Sequence, residues 1–477
     1  MEPIESLVGQ LGRWSAGRGP LYLLLAARFR QLIDDGMLAP GTLLPPDRTL
    51  AAALAVGRTT VVAAYDTLRQ EGKIVRQQGS GTRVAPAILS AGSRVVGTSN
   101  PLFLHLLEPP DGVILLSCAA PDGPPPELAE AYGSIALPAA DLGYHPAGYP
   151  ALRAAIAARY TSRGLPTETA QIMVTTGAQQ ALSLLARLLI APGDPVLVEA
   201  PTYPGALDLF REATGVLHPI AVGPSGLDVD AAARVMADHQ PALAYVIPTY
   251  QNPTGTVLPP LARRRLVEAA AAADVPLVDD EALADLTLSG QPPEPLAAFG
   301  DVISVGSLSK VVWGGLRIGW IRASGPLISR LARLKAIHDL GTDVPAQLAA
   351  AALLPDLDAL RDRQIARLRV GHDHLRAELA ARLPSWDCPP ALGGQTLWVR
   401  LPYGDGASFA QVAMRHGVAV LPGGSVDSLG GSDACLRLHF MTSRDRLTEA
   451  VRRLAAAWQA YDGTAAAAPA ALNAIVV

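Results

Sequence analysis

One lysine stands at the end of an apolar segment in the run SVGSLSKVVWGGLRIGW, residues 304–320. The chain has only three lysines, Lys73, Lys310 and Lys335, although arginine is abundant. Arginine keeps its charge and cannot form an imine, whereas a desolvated lysine can lose its proton and attack an aldehyde. Lys310 is therefore a candidate Schiff-base residue. Arg317, seven residues later, is a candidate anchor for an anion on the same cofactor.

An aldehyde cofactor that also carries an anion would use both of these side chains, and pyridoxal phosphate has this chemistry. The alternative is that Lys310 is an ordinary surface lysine, because lysines with perturbed pKa values are the minority. The other chemistry-bearing stretches of the chain decide between these two interpretations.

Composition excludes several classes of protein. The 477 residues are 49% apolar with a net charge of −4, which is typical of a soluble globular protein of roughly three domain-sized units. We expect no membrane span, since no uncharged apolar stretch reaches about 18 residues. The first ten residues lack the basic region of a secretory signal. Cys118, Cys388 and Cys435 have no metal-ligand spacing and indicate reduced thiols of a cytoplasmic protein.

Charge is distributed unevenly along the chain. Residues 1–85 carry ten Lys/Arg and seven Asp/Glu, a net charge of +3, so the remainder of the chain carries −7. A basic N-terminal segment on an acidic body favours contact with a polyanion.

The segment 19–85 has the element order of a winged helix-turn-helix. Apolar residues at helical spacing precede the breaker APGTLLPP, and two further helices are predicted at about 47–55 and 58–71. A turn at Val56-Gly57 separates them, and residues 73–84 predict a hairpin with Gly79-Ser80-Gly81 as its turn.

This segment resembles the DNA-binding head of GntR-type regulators through PLY, PGTLLPPDRTLA, VGRTTVVAAYDTLRQEGKI and QGSGTRVA. It departs at Pro46, where a serine is usual. The resemblance implies contacts to operator DNA from the first residues of the second helix of the motif, from one arginine before it and from the wing: Arg58, Thr59, Thr60, Arg48, Gly79, Ser80, Gly81 and Thr82. The alternative for the two arginines is that they are solvated surface charges.

The rest of the chain predicts an α/β body with a flexible connection before it. Residues 86–112 lack periodicity and read as a linker, and the alanine-rich residues 463–477 as a flexible tail. From residue 113, apolar strands alternate with helices, which predicts a large α/β domain around a mainly parallel sheet at 113–340. A smaller α+β domain is predicted at 341–462.

Several stretches of this body resemble the type I aminotransferase fold over about 110–460. TTGAQQAL opens a helix whose free amides can bind phosphate, and Ala178 and Gln179 match the family's cofactor-phosphate positions. Ser307 and Ser309, beside Lys310, match further phosphate positions, as Arg317 does. The resemblance therefore implies pyridoxal phosphate as the cofactor.

Other matched positions concern the cofactor ring. Tyr203 in EAPTYPGA matches the aromatic residue that stacks on the ring, and Asn252 in PTYQNPTG matches the asparagine that hydrogen-bonds its phenolic oxygen. One carboxylate of VPLVDD should pair with the pyridine nitrogen, and the match favours Asp280 over Asp279. The sequence departs at residues 281–283, Glu-Ala-Leu, where relatives often place a tyrosine that also binds the phenolic oxygen.

Two further matches concern a partner subunit and a ligand. Tyr144 in GYHPAGYPALRAAIA matches a tyrosine that reaches the phosphate of the neighbouring subunit, which implies a homodimer with shared sites. Arg437 in ACLRLHF matches the arginine that holds a substrate α-carboxylate. The alternative for Arg437 is an exposed charge on an edge strand.

A GntR-like head before an aminotransferase-like body is the arrangement of MocR-type regulators. The resemblance implies a bacterial-type cytoplasmic protein, nucleoid-associated when bound to operator DNA, that holds pyridoxal phosphate on Lys310. Its DNA binding would respond to pyridoxal phosphate itself or to an amino-acid or amine effector, with little catalytic turnover. The alternative is a working aminotransferase with an accessory DNA-binding head. The sequence leaves open the effector, the operator and whether the outcome is activation or repression.

Overall fold

The computed structural model describes residues 4–11, 14–15, 20–34, 38, 42–70, 73–77, 81–84, 112–121, 123–137 and 139–461. The chain forms two compact units, residues 1–99 and 100–477, which we call the head and the body. Except for Gly112, the predicted linker and tail lie outside the described residues. Within the described ranges, no helix combines the length and apolar character needed to cross a bilayer.

The described residues of the head form four helices and three short strands. In chain order they are α1 (Ile4–Leu11), α2 (Leu21–Asp34), β1 (Leu43–Leu44), α3 (Asp47–Ala53), α4 (Arg58–Gln70), β2 (Ile74–Gln77) and β3 (Gly81–Val84). The strands form one sheet in the order β1-β3-β2. The predicted winged helix-turn-helix order is therefore confirmed, with α3 and α4 as its two helices.

The head is held by apolar side chains at helical spacing. Val61, Tyr65 and Leu68 on α4 are buried against Phe29 of α2, and the two rings meet edge to face with centroids 5.8 Å apart. The Tyr65 hydroxyl donates to the Pro45 carbonyl at 3.0 Å, which ties α4 to the residue pair before α3. The structure ends α3 two residues earlier than the sequence pattern predicted.

The described residues of the body form eleven α-helices and thirteen strands. In chain order they are β4 (Ile114–Leu115), α5 (Pro126–Gly133), α6 (Pro150–Ser162), β5 (Ile172–Thr175), α7 (Ala178–Leu189), β6 (Pro195–Ala200), α8 (Pro204–Glu212), β7 (Val216–Gly223), β8 (Gly226–Leu227), α9 (Val229–His239), β9 (Leu243–Val246), α10 (Pro260–Ala272), β10 (Leu277–Asp280), β11 (Ile303–Ser307), β12 (Gly319–Arg322), α11 (Gly325–Asp339), α12 (Val344–Leu353), α13 (Leu357–Arg382), β13 (Thr396–Arg400), α14 (Gly406–Arg415), β14 (Val418–Ala419), β15 (Leu421–Pro422), β16 (Cys435–His439) and α15 (Arg444–Ala460).

Eight strands form the main sheet of the body, in the order β5-β12-β11-β10-β9-β6-β7-β8. The five strands from β11 to β7 run parallel, whereas β12 and β8 are antiparallel to their neighbours. Helices cover both faces, so the central strands are buried on both sides and read as nearly continuous apolar runs. The predicted α/β body with a mainly parallel sheet is confirmed.

A second, antiparallel sheet has the order β13-β16-β15, and helices α13 and α14 pack against α15 beside it. The first strand of the body, β4, pairs with β14 through Ile114 and Val418, and the Leu116 amide donates to the Ala419 carbonyl at 2.8 Å. Residues 112–121 therefore attach to the C-terminal sheet region, although the sequence placed them in the larger domain. The predicted boundary at 340/341 stays a prediction.

Candidate functional site

A cavity of about 380 Å³ opens where parallel strands of the main sheet end, which is where open α/β sheets bind ligands. It brings together most of the sequence-predicted body residues. These are Ala178, Gln179, Tyr203, Asn252, Asp280, Ser307, Ser309, Lys310, Arg317 and Arg437. Asp279 and Tyr144 do not line it.

Lys310 lines the cavity and is half-buried. Its Nζ donates to the Ala119 carbonyl at 2.8 Å. Burial lowers the pKa of the Lys310 ammonium, and the positive charges of Arg437 and Arg317 act in the same direction, while Cys118 and Asp280 oppose the shift. A lysine with a lowered pKa supplies the free amine that imine formation requires.

One end of the cavity is suited to an anion. Helix α7 begins at Ala178, directly after Gly177, whose φ of 115° requires glycine. Arg317 has a left-handed backbone (φ 54°) and donates through Nη2 to the Thr176 carbonyl. A Cβ atom on Gly177 would lie 2.8 Å from that Nη2 atom. The glycine is therefore needed for the arginine to lie against the helix N-terminus, where free amides favour phosphate.

The hydroxyl groups of Ser307 and Ser309 lie 2.8 Å apart at the same end of the cavity. Both residues line it, one at the end of β11 and one in the turn before Lys310. Two hydroxyls, a helix N-terminus and a guanidinium form a donor set that fits the phosphate of pyridoxal phosphate.

Asp280 is the last residue of β10 and lines the cavity. Its Oδ2 accepts a hydrogen bond from the Tyr245 hydroxyl at 2.7 Å, and its Oδ1 accepts one from the Ala282 amide at 3.0 Å. Burial raises the pKa of the Asp280 carboxyl, while these two hydrogen bonds and Lys310 oppose the rise. A carboxylate held in this way can pair with a protonated pyridine nitrogen.

Asp279 points to the opposite face of the strand, as the alternation of a strand requires. Its Oδ2 accepts from the Leu296 amide at 3.2 Å, away from the cavity. Of the two carboxylates that the sequence left open, Asp280 is the one that lines the cavity.

Arg437 lies on β16, the central strand of the C-terminal sheet, and is only 3% exposed. Its position excludes the alternative of an exposed charge on an edge strand. Nη1 donates to Asn252 Oδ1 at 3.0 Å and Nη2 to the Ser117 carbonyl, while Nε has no hydrogen-bond partner among the described residues. Burial lowers the pKa of Arg437 to about 10, so the guanidinium stays charged at neutral pH.

Residues 281–283, where relatives often place a tyrosine, bring no hydroxyl to the cavity: Ala282 and Leu283 line it. Tyr203 donates its own hydroxyl to Gln179 Oε1 at 2.9 Å. Tyr144 is 66% exposed, so within one chain its ring is free to reach another molecule.

Sequence reasoning missed several cavity residues. Cys118, Ala119 and Ala120 line the cavity because β4 pairs with β14, some 300 residues later in the chain. The sequence signal was a short apolar strand, ILLS, followed by small residues. Gln395 and Thr396, just before and within β13, were missed as well.

The head presents part of the predicted DNA-binding set on its surface. Arg48, Arg58 and Thr59 are exposed, and Arg58 lies 3.6 Å from Asp47 in an ion pair. Thr60 is half-buried and Gly81 is exposed with φ 87°. Gly79 and Ser80 lie outside the described residues.

Thr82 differs from the prediction. Its side chain is 7% exposed, because Thr82 is on the inner face of β3 and pairs with both Leu44 and Arg76. The Thr82 side chain is therefore buried in the head, and a DNA contact from this residue stays a prediction.

Comparison with known proteins matches both units to families. The model of bacterial regulatory proteins of the gntR family matches residues 21–84, and that of aminotransferase class I and II matches residues 111–454. YisV, named an uncharacterized HTH-type transcriptional regulator of Bacillus subtilis, is 29% identical over 82% of this chain and 86% of its own. PdxR, named the pyridoxine biosynthesis transcriptional regulator of Corynebacterium glutamicum, is 32% identical over 78% of this chain and 81% of its own.

Enzymes are among the relatives as well. A 2-aminoadipate transaminase of Thermus thermophilus is 32% identical over 69% of this chain and 85% of its own. The solved α-aminoadipate aminotransferase from that organism, complexed with N-(5'-phosphopyridoxyl)-L-leucine, superposes with a TM-score of 0.69 at 29% identity, over 75% of this chain and 94% of that chain. The chain therefore belongs to the aminotransferase class I and II family and joins that body to a GntR-family head, the arrangement of MocR-type regulators.

Proposed function

We propose that this protein is a pyridoxal-phosphate-dependent transcriptional regulator that binds double-stranded operator DNA through its head and a small amine through its body. One observation carries the proposal: a single cavity gathers Lys310, Asp280, Arg317 and Arg437 in a chain whose head matches GntR-family regulators. The relatives named as regulators support it, since two of them cover 82% and 78% of the chain.

Pyridoxal phosphate supplies an aldehyde that an amine can capture and a ring that withdraws electrons. In this cavity Lys310 would provide the amine, and Asp280 would pair with the ring nitrogen and favour its protonated form. The N-terminus of α7, with Ser307, Ser309 and Arg317, would hold the phosphate. These roles follow from the donor and charge each side chain offers.

Arg437 and Asn252 form the ligand end of the site. The Asn252 oxygen already accepts from Arg437, so its Nδ2 group is the one left to donate to the phenolic oxygen of the cofactor. The unpartnered Nε of Arg437 gives the guanidinium a free donor for a carboxylate. An effector that carries both an amine and a carboxylate would therefore compete with Lys310 and contact Arg437 at once.

Regulation requires the effector to bind two arrangements of the protein with different affinity. An imine on Lys310 would end the hydrogen bond from its Nζ to the Ala119 carbonyl, and an effector amine that displaces Lys310 would free Nζ to form it again. Pyridoxal phosphate alone would break the same hydrogen bond, so the cofactor itself stays a second candidate for the regulatory signal.

A working aminotransferase is the rival function, and the complete set of Lys310, Asp280, Arg317 and Arg437 favours it. Leu283 counts against efficient turnover, because it supplies no hydroxyl to the cofactor's phenolic oxygen. Keto-acid product formed over many turnovers per site would support the enzyme and contradict a purely regulatory role.

The test of the proposed function combines absorption with DNA binding. Purified protein is loaded with pyridoxal phosphate and titrated with a panel of amino acids and amines, while binding to a DNA fragment selected by the protein from a random pool is followed in parallel. We expect one ligand to change the absorption and the DNA affinity over the same concentration range. A spectral change without any change in DNA affinity would contradict the regulator.

We propose that the body pairs with a second copy through an apolar surface near Tyr144. Leu142 is 88% exposed and Ile337 83% exposed. A Cβ atom on Gly341 would lie 2.8 Å from the His145 carbonyl oxygen, which places these two segments side by side. Exposed patches of this kind mark association sites. We expect wild-type protein to be a dimer by light scattering, and Ile337→Asp to shift it toward monomer.

The control for the dimer prediction is Leu261→Asp, since Leu261 is 70% exposed on α10, outside this surface. Equal dimer populations in wild type and Ile337→Asp would contradict the proposed surface.

We expect Arg58→Ala to weaken DNA binding and to lower the slope of log Kd against log salt by about 1, since it removes one cation at the start of α4. Filter binding at several salt concentrations measures both quantities on the selected DNA fragment. Arg69→Ala is the matched control, because Arg69 lies in the last turn of the same helix and pairs with Asp66 at 3.1 Å. Equal losses in the two variants would contradict a specific role for Arg58.

A further inference from the structure

A buried carboxylate lies behind the proposed cofactor site. Glu199 stands near the end of β6 in the otherwise apolar run PVLVEA and is 1% exposed. Its Oε2 accepts hydrogen bonds from the Ile247 amide at 3.1 Å and from Gln251 Nε2 at 3.0 Å. Glu199 does not line the cavity, and the proposed function gives it no role so far.

Both the NH2 group and the oxygen of the Gln251 side chain form hydrogen bonds, and these bonds join two loops. Nε2 also donates to the Pro201 carbonyl at 2.7 Å, and Oε1 accepts from the amide and hydroxyl of Thr254 at 3.0 and 2.7 Å. One loop leads to Tyr203 and the other carries Asn252. The side chain therefore fixes the distance between the residue expected to stack on the ring and the residue expected to bind its phenolic oxygen.

The charge of Glu199 acts on the floor of the cavity. Glu199 on β6 and Asp280 on β10 flank β9, whose Tyr245 donates to Asp280. Among the described residues, Asp280 and Tyr245 are titratable groups that interact electrostatically with Glu199. Burial raises the pKa of Glu199 to about 7, with the bonds from Gln251 and Ile247 opposing the rise and Asp280 adding to it.

We propose that Glu199 and Gln251 are positioning residues of the cofactor site. Gln251 fixes the positions of Asn252 and Tyr203 relative to each other. Glu199 places a second negative charge near Asp280, and this charge favours a protonated pyridine ring. This inference rests on the proposed function, since it assumes pyridoxal phosphate in the cavity. A negative charge favours a neighbouring cation, and by linkage a protonated ring favours the ionised form of Glu199.

The test of the charge is a pH titration of the bound cofactor's absorption in wild type and Glu199→Gln. Glutamine keeps an oxygen that can accept both hydrogen bonds, and it replaces the other, charged oxygen with a neutral NH2 group. We expect the protonation midpoint of the bound cofactor to fall by about one pH unit in Glu199→Gln. We also expect the wild-type inflection that reports the ionisation of Glu199 to lie below its cofactor-free pKa of about 7 and to vanish in the variant. Glu268→Gln, which removes an exposed carboxylate from α10, should titrate as wild type does.

The test of the positioning role is Gln251→Met, which keeps the length of the side chain and removes its four hydrogen bonds. We expect it to weaken pyridoxal phosphate binding about tenfold or more, by analogy with partners that orient metal ligands. It tests the pair even if Glu199→Gln does not fold. Identical titration curves in wild type and Glu199→Gln, or unchanged affinity in Gln251→Met, would overturn the inference. A wild-type protein that gives no cofactor absorption at all would overturn the cofactor proposal itself.

Discussion

Replacing Lys310 with alanine is expected to abolish the visible absorption of protein mixed with pyridoxal phosphate. The reason is that Lys310 is the amine that lines the cavity, and burial lowers its pKa toward the range where it is a nucleophile. Lys310→Arg should also lose the absorption, because a guanidinium keeps a charge but cannot form an imine. The measurement is an absorption spectrum after excess cofactor has been removed by gel filtration.

The control uses the other lysine of the described body. Lys335 on α11 is buried and donates to Asp339 at 2.8 and 2.6 Å, so Lys335→Arg retains a cation for this pair. Its absorption should match wild type. The assignment of Lys310 would be wrong if Lys310→Ala kept the visible band. Loss of the band in Lys335→Arg alone would point to Lys335 instead.

Residues at strand ends were predictable from sequence because local pattern is enough to place them. Ala178 opens a helix, Asp280 ends an apolar strand, and Ser307 ends another, with Lys310 in the turn that follows. The carboxyl ends of parallel strands meet at one edge of a sheet, so an α/β pattern brings such residues together. To choose between Asp279 and Asp280 one must know which face of β10 points to the cavity. All four residues of this strand are buried, so the sequence does not reveal that face.

What the sequence could not supply was pairing between distant segments. Cys118 reaches the cavity because β4 lies beside β14, and no local signal predicts that pair. Glu199 and Gln251 meet because β6 and β9 are neighbours in the sheet. Thr82 was expected at a DNA surface, yet it is buried on the inner face of β3, the central strand of the head's sheet. A strand of four residues is too short for its sequence to show which face is buried.

The second large effect is expected for Arg437→Gln, which should weaken amino-acid effectors while sparing amines without a carboxylate. Truncation of one partner in a buried, hydrogen-bonded charge pair costs about 2–4 kcal/mol, or roughly 30- to 700-fold in Kd. Each amino acid is therefore compared with its decarboxylated amine in wild type and in the variant, by absorption titration. Arg400→Gln is the matched control, because Arg400 lies on the neighbouring strand β13 with its side chain exposed.

The pH dependence of the same comparison tests the charge of Arg437 directly. The ratio of Kd values for an amino acid and its decarboxylated amine is divided by the same ratio in Arg437→Gln, which cancels the titration of the two amines, whose pKa values differ. The quotient reports on the group that holds the carboxylate. Burial lowers the pKa of Arg437 to about 10. The preference for the carboxylate should therefore be constant from pH 6 to 8 and fall as the pH rises through about 10, where the guanidinium loses its proton. If the preference for the carboxylate disappears at lower pH, or survives in Arg437→Gln, another group holds the carboxylate. The effector would then lie in the cavity in the reverse orientation.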